Sequence, residues 1–350
     1  MEVNPRVLPP EPVCDLRRSW VATTIAVVLT LSLARVSFGV ADGRRENAEP
    51  NLGKSPRSVF SDSMSSAYNE TRSKRMVAMC GAAYCAGTLG HGVGNWDCDV
   101  CKQFPDVNAS EFDDKGVLAT NGKGFVAFDP HDGKYGSIVV SFSGTDPLQI
   151  QNWIDDLDYF AMTPTDYVAA GCSGCKVDRG FYYTYQAVQK HVRESVANYK
   201  KSHPKAALWI TGHSLGGALA VHAAVDLRLI GNDITGVYTF GQPRVGNKAF
   251  AQWFSEGLGS SRPHYRVTHR FDPVPHLPMD NKGPIGGFFH VPTEVYYPKQ
   301  HSDEGAVVCD GSGEDPSCSD SNFADILITD HLFYVGFHFA KNYIGCKLPA

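Results

Sequence analysis

The strongest constraint on this chain lies in its middle. An apolar run that reads as a strand, Ala206 to Ile210, is followed by Gly212-His213-Ser214-Leu215-Gly216 and then by an apolar run that reads as a helix, Leu215 to Leu229. A strand that turns into a helix this abruptly holds the residue at its apex in strained backbone geometry, and glycine on either side avoids a collision. The apical serine then stands clear of the sheet. The helix after it turns its first N–H groups, and the positive end of its dipole, toward whatever the serine meets. A serine in a Gly-rich turn can also be an ordinary helix N-cap; what distinguishes this one is the regularity of the flanks.

The surrounding sequence repeats the same alternation. Before the turn, Met76, Val77, Cys80, Ala83 and Tyr84 share one helical face, and Gly-rich sequence from Gly87 to Gly94 ends that helix. Gly124 to Phe128 and Ser137 to Phe142 read as strands joined by turn-forming residues, hence a hairpin. A long helix is expected from Phe181 to Tyr199, with Phe181, Tyr185, Val188, Val192 and Val196 on one side. After the turn, strands are expected at Ile234 to Phe240, Tyr265 to His269 and Phe289 to Tyr297, with a helix from Asn247 to Glu256. Alternating β and α elements imply an α/β fold whose largely parallel sheet is covered by helices on both faces.

Serine is a weak nucleophile until a base takes its proton, so a histidine and an orienting acid are required. In a strand–turn–helix setting of this kind the order after the serine is acid, then histidine. Asp272 follows the strand ending at His269, whereas Asp280 and Asp303 lie in looser sequence. Among later histidines, His276 sits too close in sequence to face Asp272 easily, and His290 falls within an expected strand where a core role is equally open. His301 and His338 carry no further signal, and His331 follows a long polar loop from which it could reach back to the sheet.

Composition bounds the partners. The chain has 350 residues, 43% of them hydrophobic, enough for a sizeable core in one domain. Lys plus Arg number 32 against 37 Asp plus Glu, a formal charge of −5 with no long basic run, which argues against nucleic acid. At the N-terminus, Arg17 and Arg18 precede an apolar stretch from Val21 to Ala34, and small residues follow at Ser37, Gly39 and Ala41. That is the layout of a secretory signal, placed at residues 1–41, with an uncleaved signal-anchor as the alternative because the segment before Arg17 is long. Residues 42–63 are polar and Pro-containing and read as a flexible leader. Ten cysteines, two of them pairs spaced C-x-x-C (Cys98/Cys101 and Cys172/Cys175), fit disulfides in an exported chain better than zinc, since no histidine cluster accompanies them. Sequons at Asn69 and Asn108 fit the same route.

Four segments together resemble the fungal-type, or class 3, lipases: Thr211 to Ala220, Tyr238 to Asn247, Asp272 to Pro278, and Asp330-His-Leu-x-Tyr. They occur in the family's order and cover roughly Tyr68 to Cys346, which implies one α/β-hydrolase domain over residues 64–350. The resemblance implies a triad of Ser214, Asp272 and His331, and an oxyanion site made by Thr145 with the N–H of Leu215. Ser143 stands where the family commonly has arginine. The stripe Ile150, Trp153, Ile154 and Leu157 looks like the family's lid, a short amphipathic helix that can turn its apolar face to a lipid surface; read from the residues alone it could equally be a helix packed permanently on the core. By the same route the disulfides are expected to be Cys85–Cys346, Cys98–Cys101, Cys172–Cys175 and Cys309–Cys318, with Cys80 free and buried.

The N-terminal segment and the cysteines point to secretion, a monomer is expected, and the resemblance implies an ester hydrolase that needs no metal or organic cofactor and touches a lipid–water interface transiently. Triacylglycerol is the first substrate expected. Phospholipids, galactolipids and feruloyl-type esters are rivals, and an inactive protein that binds lipid or another surface is the reading outside enzymology.

Overall fold

The computed structural model describes residues 68–88, 92–114, 122–156, 162–258, 262–279, 287–322 and 326–347, all within one compact unit. The segments expected at 1–41 and 42–63 lie outside the described residues, as do Leu157 and Asp280.

Chain order begins with helix α1 (Glu70–Ala83) and strands β1 (Asn108–Asp113), β2 (Lys123–Asp129) and β3 (Ser137–Phe142). Helix α2 (Ile150–Asp156), β4 (Met162–Pro164), β5 (Lys176–Asp178) and helix α3 (Arg179–Ser202) follow. The centre is β6 (Ala207–His213), α4 (Leu215–Leu229), β7 (Gly236–Phe240), β8 (Gly246–Asn247), α5 (Lys248–Leu258) and β9 (His264–His269). Last come β10 (Phe288–Phe289), β11 (Glu294–Tyr297), β12 (Val307–Val308), α6 (Ile328–His331), β13 (Phe333–Tyr334), β14 (Phe337–His338) and α7 (Phe339–Lys347).

The main sheet has eight strands in the order β1-β2-β3-β6-β7-β9-β11-β12. Its interior pairs, β3 with β6, β6 with β7, β7 with β9 and β9 with β11, are parallel. The edges are antiparallel: β1 on β2, β2 on β3, and β11 on β12. Strands β3, β7 and β9 are buried along their whole length, as parallel strands covered on both faces must be. The two-residue period of a strand then sorts their side chains. Ile138, Val140, Phe142, Leu208, Ile210 and Val237 join α3 and α4 in one core, while Val139, Trp209, Tyr238 and Phe240 face α1 and the C-terminal segment in another. Helix α4 is buried from Leu215 through Leu227, which explains why its sequence is apolar all round rather than on one stripe.

Two boundaries depart from the sequence reading. The first helix stops at Ala83, ahead of the Gly-rich stretch, with Tyr84 as its C-cap. Phe289 to Tyr297 is not one strand: Phe288–Phe289 pairs with β8 in a small four-stranded sheet, and Glu294–Tyr297 pairs with β9 in the main one. Pro292 between them has no N–H to give a ladder, so the apolar run divides there. His290 lies in the gap and is buried.

Candidate active site

Strand β6 ends at His213 and helix α4 begins at Leu215, leaving Ser214 alone at the turn, with φ 59° and ψ −131°. A non-glycine residue in that region of backbone space costs on the order of 1–3 kcal/mol. The strain is held because the chain has no room to relax: a Cβ on Gly212 would collide with the carbonyl of Gly216, and one on Gly216 with that of Phe142. The serine amide is tied to the Phe240 carbonyl at 2.9 Å.

Asp272 follows β9, and its carboxylate is fully engaged. Oδ2 accepts from His331 Nδ1 at 2.8 Å and from the Tyr334 hydroxyl, and Oδ1 accepts the Val274 amide at 2.8 Å. Because Nδ1 donates its proton to the carboxylate, Nε2 of a neutral His331 carries the lone pair. Exposure is 0% for Ser214, 2% for Asp272 and 0% for His331.

His213 anchors the histidine loop to the turn. Its Nε2 donates to the His331 carbonyl at 2.8 Å, which leaves Nδ1 to accept from the Tyr84 hydroxyl at 2.6 Å. The rings of His213 and His331 lie 4.6 Å apart. Burial first, and then the neighbouring His331, push the His213 pKa well below the ordinary histidine value, so this ring is neutral.

Three buried polar atoms of these segments have no hydrogen-bond partner: Ser214 Oγ, His331 Nε2 and Thr145 Oγ1. Thr145 follows Gly144, whose backbone lies so close that a Cβ there would stand 2.6 Å from the Ser214 Cβ. A buried orphan costs about 1–3 kcal/mol, and such atoms also occur elsewhere, at His222 and at Arg266 with its neighbours His264 and His290. What sets Ser214 apart is its strained turn, with Gly144 packed against it and the His331 loop bonded to its neighbour His213. A serine hydroxyl at a helix N-terminus, given an imidazole to take its proton and a further hydroxyl donor, is the set of groups that can form and hold a tetrahedral oxyanion.

Of the other candidates, His301, His338 and Asp303 are exposed. His276 is buried beside Asp320, Nδ1 to Oδ1 3.3 Å, and His290 Nε2 donates to the Pro275 carbonyl at 2.6 Å. In the expected lid, α2 holds Ile150, buried, with Trp153 and Ile154 half-buried, and Trp153 packs on the α3–α4 core. Between α2 and the loop after Asp272 runs a cleft of about 240 Å³, lined chiefly by Ile154, Pro273, Leu277, Met279, Ile326 and Ile328.

Several residues that shape the site had no assigned role in the sequence reading. Tyr334 lies inside the quoted histidine segment, yet only the fold brings its hydroxyl to Asp272. Gly241, with φ +55°, lets the chain pass within reach of the dyad, where a Cβ would lie 2.9 Å from the His331 ring. Arg244 cinches the acid loop: Nη1 donates to the carbonyls of His276 and Pro278 at 2.7 and 3.1 Å, and its other nitrogens pair with Glu314 at 2.9 and 2.6 Å.

The disulfides join Cys85 to Cys346, Cys98 to Cys101, Cys172 to Cys175 and Cys309 to Cys318, and Cys80 is free and buried. Cys309, Asp315 and Cys318 are grouped closely enough to suggest a metal, but both sulfurs are spent in the bridge and neither offers a thiolate.

With this geometry in view, the relatives can be placed. The class 3 lipase family profile matches residues 139–282, from β3 through the acid loop. A lipase of Rhizomucor miehei is 33% identical over 245 residues, 69% of this chain and 62% of that protein, so the match spans under two thirds of its length. A secreted mono- and diacylglycerol lipase 1 of Fusarium solani is 35% identical over 212 residues, 59% of either chain. Among solved structures, the lipase from Rhizopus microsporus var. chinensis superposes with a TM-score of 0.64 at 30% identity, covering 78% of this chain and 90% of that one. On that likeness the chain has the α/β-hydrolase fold and belongs to the class 3 lipase family.

Proposed function

We propose that this protein is a serine hydrolase of lipid carboxylic esters, with Ser214 as nucleophile, His331 as base and Asp272 as the group that orients the base. The observation that supports the reading is a strained serine turn whose neighbour His213 is bonded to the loop of a hydrogen-bonded Asp272–His331 pair, with Ser214 Oγ, His331 Nε2 and Thr145 Oγ1 left unpartnered.

In this scheme His331 Nε2 takes the Ser214 proton while Oγ attacks the ester carbonyl carbon. Asp272 keeps the ring in the tautomer that can accept it and stabilises the imidazolium that results. The Thr145 hydroxyl and the amides of Thr145 and Leu215 hold the tetrahedral oxyanion. The leaving alcohol takes the proton back from His331 as the acyl–Ser214 ester forms, and water then repeats the sequence to release the acid. The residues so assigned form a complete reaction cycle and call for no cofactor.

A nucleophile with no solvent exposure cannot meet a bulky ester until something moves, and α2 is the element that leads away from Thr145. We assign it as a lid, with Trp153 and Ile154 on the face that leaves the core, and the apolar cleft beside it as the path for an acyl chain. Met279 and Ile326, 61% and 68% exposed on that rim, would meet the lipid surface. Acylglycerols are the substrate class this favours, and the likeness to acylglycerol lipases supports the same choice. The disulfides, with the signal-like sequence expected at residues 1–41, support export; no helix among the described residues is long and apolar enough to cross a membrane.

The test is to compare hydrolysis of a short-chain ester below and above its solubility limit, together with emulsified di- and triacylglycerols. The account expects turnover to rise at the interface. Full activity on the monomeric ester with none on emulsions would replace the lipase reading by that of a soluble esterase.

A further inference from the structure

The segment Ser143-Gly144-Thr145-Asp146 joins β3 to α2, so it carries both the hydroxyl assigned to the oxyanion and the hinge of the assigned lid. An oxyanion donor works only if its position is fixed before the reaction. The fixing comes from the far end of the chain. The Tyr343 hydroxyl, on α7, donates to Asp146 Oδ2 at 2.6 Å. Asp146 in turn accepts the Leu148 amide through Oδ1 at 2.9 Å, and its carbonyl accepts the Gln149 amide at 2.8 Å. Asp146 is thus a knot between the oxyanion turn and the first residues leading into α2.

A second tyrosine grips the same segment. The Gly144 amide reaches the Tyr84 oxygen, which lies so near that a Cβ on Gly144 would stand 2.5 Å from it. Tyr84 and Tyr343 meet edge to face with ring centres 6.3 Å apart. One precedes Cys85 and the other lies one helical turn before Cys346, and these two cysteines are bridged. From the same helix, Phe339 stacks on His213 at 3.7 Å, and the Asn342 amide donates to the Gly81 carbonyl at 2.8 Å.

We propose that α7, stapled by Cys85–Cys346, is a positioning element of the active site, in which Tyr343 fixes Asp146 and so sets the place of the Thr145 donors and the hinge of α2. This rests on the hydrolase reading above and adds to it a role for the C-terminus. A merely structural helix would change stability; a positioning helix changes the stabilisation of the transition state relative to the bound ester, which appears in kcat rather than KM.

The experiment uses the full chain and a water-soluble short-chain ester. Tyr343→Phe keeps the ring and removes the donor; kcat is expected to fall roughly 10- to 100-fold, the scale of a misplaced rather than deleted group, with KM within about twofold. Asp146→Ala should lose as much and Asp146→Asn, which keeps an acceptor oxygen, should retain most of the rate. The Tyr343→Phe/Asp146→Ala pair should be no worse than Asp146→Ala alone, because the two act as one unit. Melting curves accompany each variant, and the Asp146 pair carries the test if Tyr343→Phe does not fold. An active wild type whose Tyr343→Phe form keeps full kcat, or loses only in KM, overturns this inference and leaves the hydrolase reading standing; a wild type that cleaves no ester overturns both.

Discussion

Asp272 and His213 have their hydrogen bonds filled, whereas Ser214 Oγ, His331 Nε2 and Thr145 Oγ1 do not. Asp272 receives three donors, and both nitrogens of His213 are bonded. Arg244 ties the acid-loop carbonyls of His276 and Pro278 to Glu314. By contrast, Ser214 Oγ, His331 Nε2 and the Thr145 hydroxyl are buried with no hydrogen-bond partner. In the proposed reading the difference divides the labour: the bonded groups are set when the chain folds, and the unpartnered ones await the substrate.

The comparison breaks most sharply at the bonded groups. Asp272→Asn keeps the shape but puts an amide where His331 Nδ1 donates, which favours the tautomer whose Nε2 already holds a proton. We expect kcat to fall about 10⁴-fold with the fold intact, read from ester turnover beside circular dichroism. Retention of a tenth of the rate would mean that the carboxylate does not set the tautomer. Among the unpartnered groups, Thr145→Val removes one donor and little volume, so turnover should drop about 10²–10³-fold. An unchanged rate would assign the oxyanion to backbone amides alone.

A smaller effect separates the orphan atoms of the site from those of the core. His222 and His264 are buried with Nε2 unpartnered, and burial lowers both pKa values to about 3. A depressed histidine pKa means that below about 6.5 the unfolded chain binds a proton the folded one does not. Stability is therefore full above pH 6.5 and is lost as pH falls toward 3, by up to about 1.4 kcal/mol per unit for each ring. Urea unfolding between pH 7 and 4 should show this slope, and His222→Gln should make it shallower. An unaltered slope would mean that His222 stays protonated in the fold.

What could be read in the sequence was local or two-residue periodic. Gly212 is needed because of Gly216, four residues on, and the position of Asp272 follows from the strand before it. Apolar strands alternating with helices gave away a covered parallel sheet. The rest depends on distance. Tyr334 meets Asp272 across 62 residues, Tyr84 meets His213 across 129 and Tyr343 meets Asp146 across 197, and no spacing rule encodes such partners. Phe289 to Tyr297 misled because an apolar run does not show which sheet each half joins.

The most direct measurement is covalent. An active-site fluorophosphonate, followed by digestion and mass mapping, asks which oxygen in the molecule is the activated one. The account predicts a single adduct on the peptide containing Ser214, lost together with ester hydrolysis in Ser214→Ala. Labelling at another residue, or turnover that survives that substitution at the wild-type rate, would contradict it.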